Sequence, residues 1–184
     1  SLIETFLSAG DVSLDLRDKG LIKQIKSDNT PVSNGDLEVN KIITQKISKL
    51  TPKIPIVSEE TSENKTIKNL ENFWIIDPID GTYDYINNLD EFTINAGLII
   101  NKKPKAGLIY APAKHRMFFS YGMNLAFELI NDQFIKLDST KNFNKDEIKF
   151  VSYSKSIKPE IEKIHKELNV KKYVCMKSSL KFCV

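Results

Sequence analysis

The chain has 184 residues, of which 41% are hydrophobic and 28% are charged, the length of one large domain or of one domain with part of another. Its 27 Lys and Arg residues against 24 Asp and Glu residues leave a net charge of +3, too mild to indicate a nucleic-acid polymer as a partner. The apolar runs are too short to predict a membrane span. Two cysteines outside a CxxC motif predict buried, reduced thiols and a cytoplasmic location.

The first third of the chain predicts two helices and a short strand. Apolar residues recur at helical spacing over residues 2–18 and again, on one face, over residues 35–50. Ser33 or Asn34 is a suitable cap for the second helix. The apolar run 21–25 between the helices predicts a strand.

The middle of the chain predicts a largely antiparallel sheet flanked by these helices. Short apolar runs separated by turn residues predict strands over 54–57, 73–76, 92–100, 106–110, 117–121, 126–130 and 134–137. Residues 101–104 and 131–132 have the composition of hairpin turns. The polar stretch 61–72 predicts a connection that opens as an exposed loop.

From about residue 150 the pattern changes to strand, helix, strand and helix. The elements are predicted at 149–152, after a cap at Ser156, at 173–176 and from Ser178, which is the opening of an α/β layer. We therefore predict an α+β fold with two domains, 1–148 and the first part of a C-terminal α/β domain over 149–184.

The segment Asp77-Pro78-Ile79-Asp80 carries the strongest chemical signal. Pro78 fixes its own φ and is expected to keep the segment out of regular strand or helix. Two aspartates three positions apart can then converge, and the Ile79 carbonyl can turn towards the same point. Oxygen ligands of this kind suit Mg²⁺ or Ca²⁺, although an isolated pair of this spacing is also found in a capped turn.

Gly81 and Thr82 follow directly, and they suit a phosphate group. Glycine lets the backbone approach a ligand closely, and a helix that begins near Thr82 would offer N–H groups to an anion. A metal ion beside a phosphate site is the minimum apparatus for phosphoryl hydrolysis, so the residues predict a metal-dependent phosphatase.

Three weaker candidates lie elsewhere. One of Glu59 and Glu60, after the strand 54–57, is expected to face inward as a ligand or general base, unless both are solvated. Asp36, at the start of the second helix, could be only a favourable dipole contact. Ser178 and Ser179 could contact a phosphate or merely cap a helix.

Taken together, these motifs are recognisable. Asp77–Thr82, the upstream pair Glu59-Glu60 and the segment from Thr30 to Asp36 stand in the order typical of one superfamily. The chain resembles the inositol monophosphatase and fructose-bisphosphatase superfamily of Mg²⁺-dependent, lithium-sensitive phosphatases. The resemblance implies the layered α/β sandwich of the inositol monophosphatase type.

Within that superfamily the chain is most similar to the CysQ-like 3'(2'),5'-bisphosphate nucleotidases, on the stretches 91–95, 110–112 and 178–183. The resemblance implies a small phosphate ester as substrate, adenosine 3',5'-bisphosphate, cleaved to AMP and phosphate. Inositol phosphates or sugar phosphates are the alternative substrates, and a homodimer is possible.

The resemblance also implies roles for the residues of the motifs. Glu59, Asp77 and Asp80 would hold Mg²⁺ with the Ile79 carbonyl, and Glu60 would be an additional carboxylate. Thr82, paired with Asp36, would orient the attacking water. The backbone amides of Gly81 and Thr82, with Ser178 and Ser179, would bind the substrate phosphate.

One expected ligand has no counterpart. Superfamily members complete the metal site with the aspartate of a downstream Trp-Asp motif, whereas the single tryptophan here, Trp74, lies upstream. We therefore expect a chain truncated at its C-terminus, and a catalytically incomplete fragment that only binds a cation is the remaining alternative.

Overall fold

A computed structural model describes residues 1–61, 69–138, 148–154 and 156–183. Two helices, α1 (Leu2–Lys19) and α2 (Asn34–Leu50), pack against each other and against one face of a sheet. Between them lies a hairpin of β1 (Lys23–Ile25) and β2 (Pro31–Ser33). Both helices and the strand between them confirm the sequence prediction.

The main sheet has seven strands in the order β3-β4-β5-β6-β7-β8-β9, and only β3 and β4 are parallel. This confirms the predicted, largely antiparallel sheet. The strands are β3 (Ile56–Ser58), β4 (Phe73–Asp80), β5 (Thr93–Ile100), β6 (Lys103–Ala111), β7 (Arg116–Tyr121), β8 (Ala126–Ile130) and β9 (Gln133–Lys136), with the short helix α3 (Thr82–Ile86) after β4. Both predicted hairpin turns are present, with positive φ angles at Asn101, Lys102, Asn131 and Asp132.

The core lies between the sheet and the helix pair. Alternation along β4 turns Trp74 and Ile76 towards the helices, where they join Phe6, Val39 and Ile43. The opposite face of the sheet borders an apolar cavity of about 580 Å³, lined in part by Ile75, Phe119 and Phe127. One face is thus covered by the two helices, and the other carries this cavity and a smaller cluster in which Leu180, near the end of the chain, packs against Ala111 and Phe118.

The last part of the chain forms a separate parallel pair, β10 (Lys149–Ser152) and β11 (Lys172–Cys175), with α4 (Pro159–Glu167) between them and a 3₁₀ helix (Ser179–Phe182) at the end. The alternation of strand and helix agrees with the sequence. The boundary between two domains at residue 149 stays a prediction. The exposed loop predicted at the opening of the connection 61–72 falls largely on residues 62–68, which lie outside the described residues.

Two predictions were wrong in detail. Ser156 does not cap α4, which begins at Pro159 after Lys158 in an extended conformation (ψ 147°), because a residue that precedes proline avoids helical angles. Cys175 is exposed and Cys183 only partly buried, although both are free thiols as expected.

Among the described residues, no helix has the length and apolarity that crossing a bilayer requires.

Tyr85 ties α3 to both long helices. Its ring is fully buried and lies 4.8 Å from the ring of Phe92, and its hydroxyl donates to the Ser13 carbonyl of α1 at 2.7 Å. On the other side, a Cβ atom at Gly35 of α2 would lie 2.2 Å from the Tyr85 hydroxyl oxygen. Glycine at position 35 therefore makes room for the side chain that holds α3 in place.

Gly35→Ala is expected to destabilise the protein by about 1–3 kcal/mol, because overpacking costs that much in a filled core. The direction is opposite to helix propensity, in which alanine is preferred to glycine. Denaturant unfolding measures the change. Gly107→Ala is the matched control, since its nearest neighbour would be 3.6 Å from the new Cβ atom; equal stability of the Gly35→Ala variant and the parent would contradict the packing argument.

Candidate active site

A bulge in β4 shapes the Asp-Pro-Ile-Asp segment. Pairing with β5 is regular up to Asp77, opposite Asn95, and then shifts so that Asp80 lies opposite Thr93. Three steps along β4 thus match two along β5, and the extra residue falls where Pro78 has no N–H group to donate. The sequence predicted a strand over 73–76 and that Pro78 would keep the following segment out of regular structure; the pairing is irregular at Pro78, but the strand continues through it to Asp80.

The Asp77 side chain is half-buried, with other carboxylates around it. Its Oδ1 atom is buried and has no hydrogen-bond partner within the described structure. Burial, followed by the negative charges of Glu59 and Asp80, raises the pKa of Asp77 to about 8. A carboxyl group in these surroundings is stabilised either by binding a proton or by binding a cation.

Glu59 and Glu60 follow β3, which runs parallel to β4. The Glu59 amide donates to the Ile76 carbonyl at 3.1 Å, and this contact places Glu59 beside Asp77. As predicted, one faces inward: the Glu60 side chain is 4% exposed, against 46% for Glu59. Burial raises the pKa of Glu60, and its ion pair with Lys26 opposes that shift.

Lys26, at the end of β1, is a site residue that the sequence analysis missed. Its ammonium lies 2.7 Å from Glu60 Oε1 and 3.5 Å from Glu59 Oε1. A lone lysine after a short strand carries no sequence signal, since lysine is common on surfaces and its partners lie more than thirty positions away.

Asp36 and Thr82, from different elements, are hydrogen-bonded as expected. Thr82 Oγ1 lies 3.0 Å from Asp36 Oδ1 and 3.0 Å from the Ile79 carbonyl oxygen. The other carboxylate oxygen of Asp36 accepts from the amide and hydroxyl of Ser33, which caps α2. Burial raises the pKa of Asp36, while the Ser33 and Thr82 hydrogen bonds oppose the shift.

Gly81 has a backbone conformation that a residue with a side chain could not adopt without strain. Its φ is 100°, and a Cβ atom there would lie 2.8 Å from the Glu91 carbonyl oxygen. The chain can therefore turn directly from Asp80 into α3, which begins at Thr82 as the sequence suggested.

The 3₁₀ helix near the end of the chain approaches the same carboxylates. Ser179 Oγ donates to Asp80 Oδ2 at 2.6 Å and accepts from Asn95 Nδ2 at 3.1 Å. Ser178 is buried with φ 53°, and its carbonyl accepts from Lys181. Lys177 anchors the segment through an ion pair with Asp84 at 2.7 Å.

The residues present fit a hard divalent cation in chemistry. Asp77, Asp80 and Glu59 offer only oxygen donors. The Oδ1 atom of Asp77 is buried without a hydrogen-bond partner among the described residues, and the pKa of this carboxyl group is raised, so a bound cation would stabilise its ionised form. However, across the described ranges no three acidic, histidine or cysteine side chains converge as a ready metal cage. Two of the carboxylates instead have partners within the protein: Lys26 forms an ion pair with Glu60, and Ser179 donates a hydrogen bond to Asp80.

Comparison with known proteins agrees with this geometry. The sequence profile of the Inositol monophosphatase family matches residues 3–184. The chain is 37% identical over 167 residues to the 3'(2'),5'-bisphosphate nucleotidase CysQ of Buchnera aphidicola subsp. Acyrthosiphon pisum, covering 86% of this chain and 59% of that protein. It spans about half the length of the curated relatives it matches.

Solved structures show the same fold. CysQ from Bacteroides thetaiotaomicron is 25% identical and superimposes with a TM-score of 0.71, covering 98% of this chain and 73% of that one. An IMPase from Thermotoga maritima, 22% identical, has a TM-score of 0.73 with 97% of this chain and 68% of that one covered. The predicted sandwich fold is thereby confirmed, and the chain belongs to the inositol monophosphatase family.

Proposed function

We propose that this chain is the catalytic part of a Mg²⁺-dependent, lithium-sensitive phosphatase that removes the 3'-phosphate of adenosine 3',5'-bisphosphate to give AMP and phosphate. The observation that carries the proposal is the buried Oδ1 atom of Asp77, which has no hydrogen-bond partner among the described residues and belongs to a carboxylate beside Glu59 and Asp80. The nucleotide substrate is supported by relatives named 3'(2'),5'-bisphosphate nucleotidase at 33–37% identity.

In this proposal Asp77, Asp80 and Glu59 hold Mg²⁺, with Glu60 and the Ile79 carbonyl as further ligands. When bound, the cation supplies Lewis acidity and neutralises negative charge at the reacting phosphate. The backbone amides of Gly81 and Thr82, with Ser178 and Ser179, bind the phosphate oxygens. The turn at Gly81 exposes the start of α3 for this purpose.

Asp36 and Thr82 orient the nucleophile. The Thr82 hydroxyl can donate its single proton to Asp36 Oδ1, 3.0 Å away. Its lone pairs can then accept a hydrogen bond from a water molecule, which is held with one oxygen lone pair free to attack phosphorus. As that water attacks, it passes a proton to the Thr82 oxygen while Thr82 passes its own proton to the ionised carboxylate of Asp36, and the raised pKa of Asp36 makes this carboxylate a stronger base.

A second candidate is a cation-binding part that is incomplete as a catalyst. It is favoured by one observation: the described residues contain no group of three acidic, histidine or cysteine side chains placed to hold a metal ion. The two candidates differ in turnover and agree on Mg²⁺ binding, so both properties need measurement.

The first prediction concerns activity. With Mg²⁺, the chain is expected to release phosphate from adenosine 3',5'-bisphosphate faster than from inositol 1-phosphate, and Li⁺ is expected to inhibit it. Asp77→Asn should lower the rate roughly 100-fold or more. Loss of a residue that only hydrogen-bonds to a metal ligand already lowers activity by about 10–100-fold, and loss of a ligand itself should lower it at least as much.

The matched control for this assay is Asp132→Asn, the same change in an exposed hairpin turn. It should leave the rate unchanged. Mg²⁺ binding without turnover would select the incomplete catalyst, whereas preference for inositol 1-phosphate would overturn the nucleotide assignment.

The second prediction concerns Thr82. Thr82→Val is expected to lower kcat roughly 100-fold with little change in KM, since a positioned proton-transfer group contributes about that much. Thr82→Ser retains the hydroxyl and should recover most of the rate. Equal losses in the two variants would show that the hydroxyl is not the functional group.

The third prediction concerns pH. In the folded, metal-free protein the pKa of Asp77 is about 8, above its ordinary value of 3.8. The folded state therefore binds the proton more tightly than the unfolded state, so this contribution to stability is fully present below about pH 4 and is lost as pH rises through about 8.

Thermal unfolding between pH 5 and 9 tests that sign. The Tm of the metal-free protein should fall more steeply with pH than that of Asp77→Asn, and Mg²⁺ should raise Tm more at pH 8.5 than at pH 6. Parallel Tm curves for the two proteins would contradict the assigned pKa.

A further inference from the structure

A serine hydroxyl from the 3₁₀ helix near the end of the chain is bonded to one of the carboxylates that the proposed function assigns to Mg²⁺. Ser179 Oγ donates to Asp80 Oδ2 at 2.6 Å. Within the described residues, this is the one hydrogen bond that the Asp80 side chain accepts. Ser179 therefore fixes the orientation of this carboxylate, which the negative charge of Asp77 would otherwise turn away.

Asn95 determines the direction of the hydroxyl proton. Its Nδ2 atom donates to Ser179 Oγ at 3.1 Å, so the serine oxygen accepts one hydrogen bond while it donates another. A hydroxyl has a single proton, and because an amide N–H group already points at the oxygen, that proton is directed to Asp80. Asn95 lies on β5 directly opposite Asp77 of β4. The strand pairing that shapes the aspartate segment therefore also places this amide.

The backbone of Ser179 is held independently of its hydroxyl. On one side Leu180, which is 1% exposed, packs against Phe118 of β7. On the other side the Lys177 amide donates to Glu91 Oε2 at 3.0 Å. Since these two anchors flank the serine, removal of its hydroxyl is expected to leave the segment in place.

The hydrogen bonds of Ser179 separate two roles for its hydroxyl. While its proton is donated to Asp80 and its oxygen accepts from Asn95, the hydroxyl has no proton to give to a phosphate oxygen. A residue that holds a metal-binding carboxylate in one orientation contributes to cation affinity, because the ligand is ordered before the cation binds. The contacts of Ser179 thus favour an effect on the cation.

We propose that Ser179, oriented by Asn95, is a positioning residue that holds Asp80 for the divalent cation. The inference rests on the proposed function, since Asp80 is one of the metal ligands named there. It assigns the Ser179 hydroxyl to the carboxylate and leaves the phosphate contacts to the other groups of the proposal. Loss of the hydroxyl transfers the cost of ordering Asp80 to the binding step, so the cation binds more weakly.

Calorimetric titration with Mg²⁺, of the chain and of Ser179→Ala, tests the inference. The variant is expected to bind Mg²⁺ about 10–100-fold more weakly, which is the usual effect of losing a residue that hydrogen-bonds to a metal ligand. Ser179→Thr retains the hydroxyl and should recover most of the affinity. The matched control is Ser8→Ala, the same change on the exposed surface of α1, and it should leave the affinity unchanged.

Asn95→Val removes the amide that orients the hydroxyl, and it serves as a second variant that leaves Ser179 intact. It is expected to weaken Mg²⁺ binding by a smaller factor than Ser179→Ala. The double variant should bind no more weakly than Ser179→Ala alone, because Asn95 acts through the serine. A further loss in the double variant would overturn the role of Asn95.

Binding of inorganic phosphate at saturating Mg²⁺ distinguishes the two roles of the hydroxyl. Ser179→Ala should bind phosphate with the affinity of the parent. Unchanged or tighter Mg²⁺ binding by Ser179→Ala, or a loss confined to phosphate binding, would overturn the inference while leaving the proposed function standing. Absence of Mg²⁺ binding in the parent and in all variants would overturn both.

Discussion

Mutual repulsion among neighbouring carboxylates, of which Asp77 and Asp80 are half-buried and Glu59 is exposed, is the constraint on which the candidate site depends. Parallel pairing of β3 with β4 brings Glu59 beside Asp77, and the bulge at Pro78 brings Asp80 to the same end of the sheet. Left alone, these charges would push the strand ends apart. The repulsion raises the pKa of Asp77, and the ammonium of Lys26 and the hydroxyl of Ser179 contact the neighbouring Glu60 and Asp80.

The helix layer holds the opposing part of the site with apolar packing and a few directed hydrogen bonds. Ser33 caps α2 and at the same time fixes one oxygen of Asp36, which leaves the other oxygen for Thr82. Tyr85, packed against Gly35 and bonded to Ser13, fixes the helix on which Thr82 stands. The Asp36–Thr82 pair is thereby held by hydrogen bonds and packing, whereas the arrangement of the carboxylates around Asp77 depends on charge balance.

Much of the fold and of the candidate site could be predicted because local patterns report local structure. Periodicity located both long helices and every strand of the main sheet, and the Asp-Pro-Ile-Asp-Gly-Thr segment indicated the chemistry. The errors also have local causes. Ser156 has the composition of a cap, but Pro159 decided where α4 begins, and Pro78 is accommodated in β4 by a bulge.

The sequence by itself determined the order of the elements, the family and the identity of Asp36, Asp77 and Thr82 as candidates, because each of these depends on residues close together in the chain. Only the tertiary structure decided that Lys26 joins Glu60, that Ser179 joins Asp80 and that Glu60 is the inward-facing glutamate. Those contacts join residues 34 and 99 positions apart. Their charges act through space, so the partners of each group depend on which strands pair and where the chain turns.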